Sequence, residues 1–198
     1  MILFLRRLMP HAKHFVHFFH TTNMNLSFEE IFMTYRNMVF NLCLHYVQRP
    51  EDAEEIAQDV FVVVHQKYAT FQGHASLKTW IYRITINHCL DFLKAQKRQK
   101  RFALFLSWYR PNSTTPAIDL PDQQHPGIAL EQKESLTTLL QCINDLPEQQ
   151  KTAVILLKIE QKTTAETAEI MQLSPKAVES LLQRAKKKLL EKLPPREG

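Results

Sequence analysis

Residues 163–189 read TTAETAEIMQLSPKAVESLLQRAKKKL, and two helices with a tight turn between them are written into that stretch. Thr163 and Glu166 stand three apart as a capping box, in which the hydroxyl accepts from a free N–H of the first turn and the carboxylate reaches back. The short helix opened there runs to Met171. Leu173-Ser174-Pro175 then restarts the chain, with Ser174 as an N-cap and Pro175 at the first helical position, where its missing N–H is not needed. A longer helix follows to about Leu193, where Pro194 and Pro195 stop it. Short helix, three-residue turn and longer helix make the helix-turn-helix pattern.

The longer helix separates into two faces. Val178, Leu181, Leu182, Ala185 and Leu189 form one stripe; Lys176, Glu179, Ser180, Gln183, Arg184 and Lys187 form the other. In a helix-turn-helix the N-terminal part of the second helix enters the major groove. Gln pairs with adenine, Arg with guanine, and Glu accepts from cytosine N4. Lys186, Lys187 and Lys188 suit phosphate contact, which supplies affinity without sequence information. The competing reading is a solvated face on an ordinary bundle helix. The short capped helix before Ser174-Pro175 argues against it.

Further upstream the same periodicity recurs. Ser27 and Glu30 make another capping box, followed by Phe28, Ile31, Phe32, Tyr35, Met38, Val39, Leu42 and Tyr46 at helical spacing. Pro50 opens a second helix with the stripe Ala53, Ile56, Ala57, Val60, Phe61 and Val64. After a loop at Phe71-Gln-Gly-His-Ala, Ser76 caps a third helix expected to end near Phe102, with Leu77, Trp80, Ile81, Ile84 and His88 inward and Lys78, Thr79, Tyr82, Arg83 and Asn87 outward. Leu136, Leu139, Leu140 and Ile143 lead to Pro147, which starts a helix containing Val154, Ile155, Leu157 and Ile159. Only 3 glycines occur in 198 residues, and neither G-x-G-x-x-G nor G-x-x-x-x-G-K-[ST] is present. The sequence predicts an all-α chain and argues against the usual nucleotide-binding enzymes.

Charge is distributed unevenly under a net +5. Glu51, Asp52, Glu54, Glu55 and Asp59 make the second helix acidic beyond what its dipole requires, which points to a basic protein partner. Lys94, Lys97, Arg98, Lys100 and Arg101 make the end of the third helix basic; with neighbouring aromatics such a surface suits single-stranded DNA. Cys43, Cys89 and Cys142 lie far apart in apolar stretches, fit no disulfide framework or metal knuckle, and suit a reducing cytoplasm. Histidines 45, 65, 74 and 88 are scattered; only His74 falls in an expected pocket, with no nucleophile or metal set beside it. No catalytic residue, metal or cofactor is assigned.

Two segments stand apart. Residues 1–23 carry Arg6, Arg7, Lys13 and histidines 11, 14, 17 and 20, and their apolar run is too short for a signal peptide or a membrane span. They are expected to be a leader, unstructured or not native, with Met24 a plausible start. Residues 102–130, with prolines at 111, 116, 121 and 126, are expected to form a linker. That leaves two small helical domains, residues 24–101 and 131–198.

The run Asp52-Ala-Glu-Glu-Ile-Ala-Gln-Asp-Val-Phe61, with Leu77-Lys-Thr-Trp-Ile-Tyr-Arg-Ile-Thr-Ile-Asn87, resembles region 2 of extracytoplasmic-function (ECF) sigma factors of the sigma-70 family. Leu146-Pro-Glu-Gln and residues 168–186 resemble region 4. The resemblance covers about residues 26–100 and 131–193 in the family's order. It implies a transcription initiation factor that binds bacterial core RNA polymerase through the β′ clamp helices and the β subunit, with Asp52, Glu55, Gln58 and Asp59 at the clamp. Phe71, His74, Ser76, Lys78, Tyr82, Arg83, Asn87, Lys94, Lys97 and Arg98 would then recognise and melt the promoter −10 element. Ser174, Lys176, Glu179, Ser180, Gln183, Arg184 and Lys187 would read the −35 element. An anti-sigma partner, a cytoplasmic location and no membrane insertion are also implied. Gln172 stands where many members have glycine, and Glu179 and Leu181 replace frequent basic residues. A stand-alone helix-turn-helix regulator, binding duplex DNA without polymerase, is the alternative; it leaves the acidic helix without a purpose.

Overall fold

A computed structural model of the chain describes residues 26–109 and 138–193, with side chains described outside 103–109. The expected leader, Met24, Leu136, most of the expected linker and the terminal Pro194-Pro195 lie outside the described residues.

Helix α1 (Phe28–Val47) starts where the capping box placed it. The Ser27 hydroxyl accepts from the Glu30 N–H at 3.2 Å, and the Ser27 N–H donates to the Glu30 carboxylate at 2.7 Å. It ends on Gln48, whose left-handed backbone (φ 61°) lets its N–H bond back to the Leu44 carbonyl at 2.9 Å. Two residues later Pro50 opens α2 (Pro50–Lys67), followed by a short 3-10 turn, Tyr68–Thr70. Ser76 caps α3 (Leu77–Tyr109), accepting from the Thr79 N–H at 3.0 Å. Helix α3 therefore runs past its expected end at Phe102. The stretch Phe102-Ala-Leu-Phe-Leu-Ser-Trp-Tyr109 contains no proline or glycine, and the first chain-breaking signal is Pro111, which disfavours helix in the residue before it.

The three helices pack as a bundle around Ile31, Val39, Leu42, Cys43 and Tyr46 of α1, Ala53, Ile56, Val60, Phe61 and Val64 of α2, and Ile81, Tyr82, Ile86 and Cys89 of α3. Two residues depart from expectation. Thr79 and Tyr82, read as outward-facing, are both buried. A polar or amphipathic residue on the outside of a three-helix bundle becomes interior when another element covers that face, as Glu160 and Lys162 of the C-terminal unit do over Tyr82.

The C-terminal unit comprises a helix over residues 138–144 (α4), α5 (Glu148–Val154), a π-helical turn (Ile155–Ile159), α6 (Thr164–Met171) and α7 (Pro175–Lys192). Pro147 caps α5 from extended backbone (ψ 144°) and is not its first helical residue. Ile143, Leu146, Val154 and Ala185 form a small second core, with Leu139, Leu182 and Leu189 against it. Gln150 through Leu156 are all buried. A helix buried all round lies between two packed surfaces: one side of α5 faces its own core, and Ile155 and Leu156 join Ile170 in the core of the N-terminal bundle. The π-helical register, in which the Glu160 N–H bonds to the Ile155 carbonyl at 2.9 Å, brings Glu160 to the same side as these residues.

Candidate functional site

Three surfaces carry the residues singled out above. On α2 the buried stripe leaves Glu51, Glu54, Glu55 and Asp59 exposed on the opposite side as a negative face. Asp52 and Gln58 are half-buried: Asp52 lies 3.8 Å from Arg49 across the first turn, with its side chain only 17% exposed. Of the four expected polymerase contacts, Glu55 and Asp59 stand free in solvent, and Asp52 belongs partly to the helix start.

The second surface is the loop before α3 and the helix itself. The Phe71 and Trp80 rings sit 5.0 Å apart, both half-buried, so the loop folds over the start of α3 with one ring on another. Gly73 takes a positive φ of 72° at the turn, with Gln72 and His74 exposed on either side and joined at 2.9 Å through Oε1 and Nε2. Ser76 and Thr79 share a hydroxyl contact of 2.9 Å, and Lys78 is exposed beside them. Further along, Arg83, Asn87, Lys94 and Arg98 recur at helical spacing on one side of α3, flanked by exposed Lys97, Lys100 and Arg101. This gives a loop with an accessible aromatic, continuous with a basic stripe.

The structure covers the upstream end of that stripe. The buried Tyr82 hydroxyl donates to Glu160 at 2.8 Å, and burial together with the adjacent carboxylate pushes its phenol pKa up. Burial would raise Glu160, but hydrogen bonds from His45 and Tyr82 hold its carboxyl below the usual value. Arg83 donates through Nη2 to the Glu169 carbonyl at 2.8 Å, while its Nε is buried and makes no hydrogen bond. Lys94 reaches Glu148 at 3.4 Å. Sequence reasoning missed the residues opposite: Lys151, Thr152 and Glu160. Lys151 is only 3% exposed; its ammonium donates to the Tyr46 carbonyl at 2.8 Å and to the Asn144 side chain, and lies over the Tyr46 ring. Burial lowers its pKa to about 8. The available signal was positional, since Lys151 falls three residues before Val154, one helical turn away on the same face.

The third surface is the helix-turn-helix. Both hydrogen bonds of the Thr163–Glu166 capping box are present, and they hold the Glu166 carboxyl below its usual pKa. Gln172 takes the left-handed conformation (φ 56°), so the turn keeps the shape that glycine favours, and the Leu173 N–H bonds to the Ala168 carbonyl at 3.0 Å. Replacing Gln172 by Gly is expected to stabilise the chain by about 0.5 kcal/mol, the ~1 kcal/mol left-handed cost less the entropy of glycine. A higher urea midpoint would confirm this, and a lower one would show that the side chain holds the turn. Ser174 caps α7 by accepting from the Ala177 N–H at 3.2 Å. Val178, Leu181 and Ala185 are buried, and Lys176, Glu179, Ser180, Gln183, Arg184 and Lys187 are all exposed on the other side. Arg184 folds back onto the Ser180 carbonyl through Nε at 3.2 Å, which leaves its terminal nitrogens outward.

Comparison with known proteins joins these surfaces. Residues 31–99 match the family model "Sigma-70 region 2", and residues 136–189 match "Sigma-70, region 4". The chain belongs to the sigma-70 family, in its ECF branch. It is similar to the RNA polymerase sigma-H factor of Pseudomonas aeruginosa, 27% identical over 178 residues, covering 85% of this chain and 87% of the other. It also resembles the ECF RNA polymerase sigma-E factor of Haemophilus influenzae, 28% identical over 173 residues, covering 85% and 88%. Its fold is like that of the sigma factor RpoE of Bartonella quintana, solved with the anti-sigma factor NepR, at a TM-score of 0.55 and 18% identity, covering 83% and 94% of the two chains. As a sigma factor, the chain has region 2 in α1–α3 and region 4 in α4–α7. Among its described residues no helix is long and apolar enough to cross a membrane, and no cluster of His, Cys, Asp or Glu is arranged to hold a metal ion.

Proposed function

We propose that this sigma factor carries core RNA polymerase to promoters through three separate surfaces. The exposed acids of α2, Glu55 and Asp59 foremost, dock on the β′ clamp helices, with region 4 engaging the β subunit. The Phe71–Ser76 loop with Lys78, Tyr82, Arg83, Asn87, Lys94, Lys97 and Arg98 takes the −10 element, where pulling a base from the stack costs a few kcal/mol that pocket contacts must offset. Helix α7 reads the −35 element as duplex through Lys176, Glu179, Ser180, Gln183, Arg184 and Lys187, positioned by the Ser174 cap. The observation that carries this reading is one chain holding an acidic helix face that DNA would repel beside two basic surfaces suited to DNA. The chain acts in the cytoplasm as a non-enzymatic factor, and an anti-sigma protein masks its working faces.

The test is reconstitution. Added to bacterial core RNA polymerase, the chain should co-elute with it and start transcription from a restricted set of genomic fragments. Tight duplex binding by the chain alone, with no association with active core enzyme, would establish the stand-alone regulator in its place. Within α7, Arg184→Ala should weaken binding of promoter duplex at one base position by about 1–3 kcal/mol, if the guanidinium meets a base edge. Equal losses on every sequence tried would make it a phosphate contact.

A further inference from the structure

Helix α7 carries one acid on a face otherwise built for a polyanion. Between Pro175 and Lys188 the charged residues are Lys176, Arg184, Lys186, Lys187 and Lys188, and against them Glu179 alone. Glu179 is exposed, as are Lys176 one turn before it and Gln183 one turn after it, while Val178, Leu181 and Ala185 are buried behind them. It therefore lies in the N-terminal half of the helix, among the residues that a helix-turn-helix presents to the major groove.

Nothing among the described residues accounts for a carboxylate there. The start of α7 is capped by the Ser174 hydroxyl on the Ala177 N–H, so Glu179 is not a cap. It falls beyond the first turn, the part of the helix in which the dipole favours an acid. Lys176 stands at a spacing that permits an ion pair, yet Glu179 makes no ion pair or hydrogen bond among the described residues. Arg184 turns instead to the Ser180 carbonyl, at 3.2 Å.

A free carboxylate on such a face is repelled by every phosphate it approaches, so it lowers affinity for DNA of any sequence. What it can gain lies at a base edge. A carboxylate only accepts hydrogen bonds. In the major groove guanine offers N7 and O6 and thymine offers O4, all acceptors. Adenine has a donor at N6 with the N7 acceptor beside it, whereas cytosine presents its N4 donor and no acceptor.

We propose that Glu179 makes helix α7 selective for cytosine at one position of the −35 element, accepting from N4, and that the same carboxylate weakens binding to unrelated duplex. The assignment rests on the reading of α7 as the −35 reader, and goes past it in naming the base and the side chain that selects it. The lysines supply affinity that carries no sequence information, and Glu179 subtracts from it except where a cytosine stands.

Two full-length variants test this, Glu179→Gln and Glu179→Ala. Both substituents favour helix and the position is exposed, so the fold is not at stake. Wild type and variants are each assembled with core RNA polymerase and used to select from a pool of random duplexes, and the selected sequences are compared base by base. The expected wild-type motif has cytosine at one position. Replacing that C·G pair by T·A in a selected duplex should weaken binding roughly 5- to 150-fold, the cost of one mismatched pair. Glu179→Gln should move that position alone from cytosine to adenine, since an amide matches N6 and N7 of adenine. Glu179→Ala should leave the position indifferent and bind unselected duplex more tightly than wild type. Identical motifs from all three proteins would overturn the proposal, because Glu179 would then only repel phosphate. So would a wild-type preference for any other base at the position the variants change. Failure of wild type to bind active core polymerase would overturn the sigma reading instead, and the same selection by the chain alone would then decide the role of Glu179.

Discussion

Tyr46→Ala is expected to destabilise the chain by about 3–5 kcal/mol, the range for removing a large aromatic from a packed interior. Tyr46 has no exposed surface, lies in the core of α1–α3 and donates its hydroxyl to Thr152 of α5 at 2.8 Å. Truncation at that point removes three things at once: ring packing in region 2, the hydrogen bond to Thr152, and the aromatic face under the Lys151 ammonium. The backbone carbonyl that accepts from Lys151 would remain, but with a cavity beside a buried cation. For a chain of this size each kcal/mol moves the midpoint by about 2–4 °C, so a fall on the order of 10 °C in thermal unfolding is expected. Tyr46→Phe separates the contributions. It keeps the ring and loses one hydrogen bond, at a cost of about 1 kcal/mol. A similar loss for both variants would mean that the hydroxyl, and not the ring, carries the effect.

The position of Tyr46 also shows where the sequence is legible and where it is not. Helix starts could be read because capping is local: Ser27 with Glu30, Thr163 with Glu166, and Ser174 ahead of Pro175 all cap in the structure as their spacing required. The apolar stripe of α2 was likewise readable, with Ala53, Ile56, Val60, Phe61 and Val64 all buried. The contact between regions 2 and 4 was not. Its ends consist of Tyr82, Arg83, Lys151 and Glu160, residue types that look like solvent-facing ones in any periodicity count. Only the tertiary meeting of two helical units, distant in sequence, buries them. For the same reason the basic stripe of α3 was read as one free surface, although its upstream end lies under region 4 and its downstream part from Lys97 is open. The composition made a subtler point legible. With only 3 glycines in the chain, positive-φ positions among the described residues fall to Gln48, Gln161 and Gln172 as well as to Gly73.

Reversing Glu55 and Asp59 together to lysine should abolish co-elution with core RNA polymerase, a loss of at least a hundredfold in affinity. Both carboxylates are exposed on α2, four residues apart on one side, and neither makes an ion pair among the described residues. Against a basic partner surface each reversal replaces attraction by repulsion, and close charge pairs across interfaces couple by about 1.5–7 kcal/mol. A hundredfold loss corresponds to about 2.8 kcal/mol, so two modest pairs suffice. Asp52 should be left unaltered in this variant. Its half-buried carboxylate sits against Arg49 in the first turn of α2, where negative charge favours the helix dipole, and a lysine there would weaken the helix as well as the docking face. Glu55→Lys/Asp59→Lys changes only exposed positions, so its thermal midpoint should stay within about 2 °C of wild type, the shift expected from roughly 0.5 kcal/mol at the surface. Retained stability with lost polymerase binding would place the docking surface on α2. Retained stability with unchanged binding would remove α2 from the interface. The partner would then have to be sought on α3 or region 4, where the exposed charges are mostly positive and an acidic polymerase surface would be required.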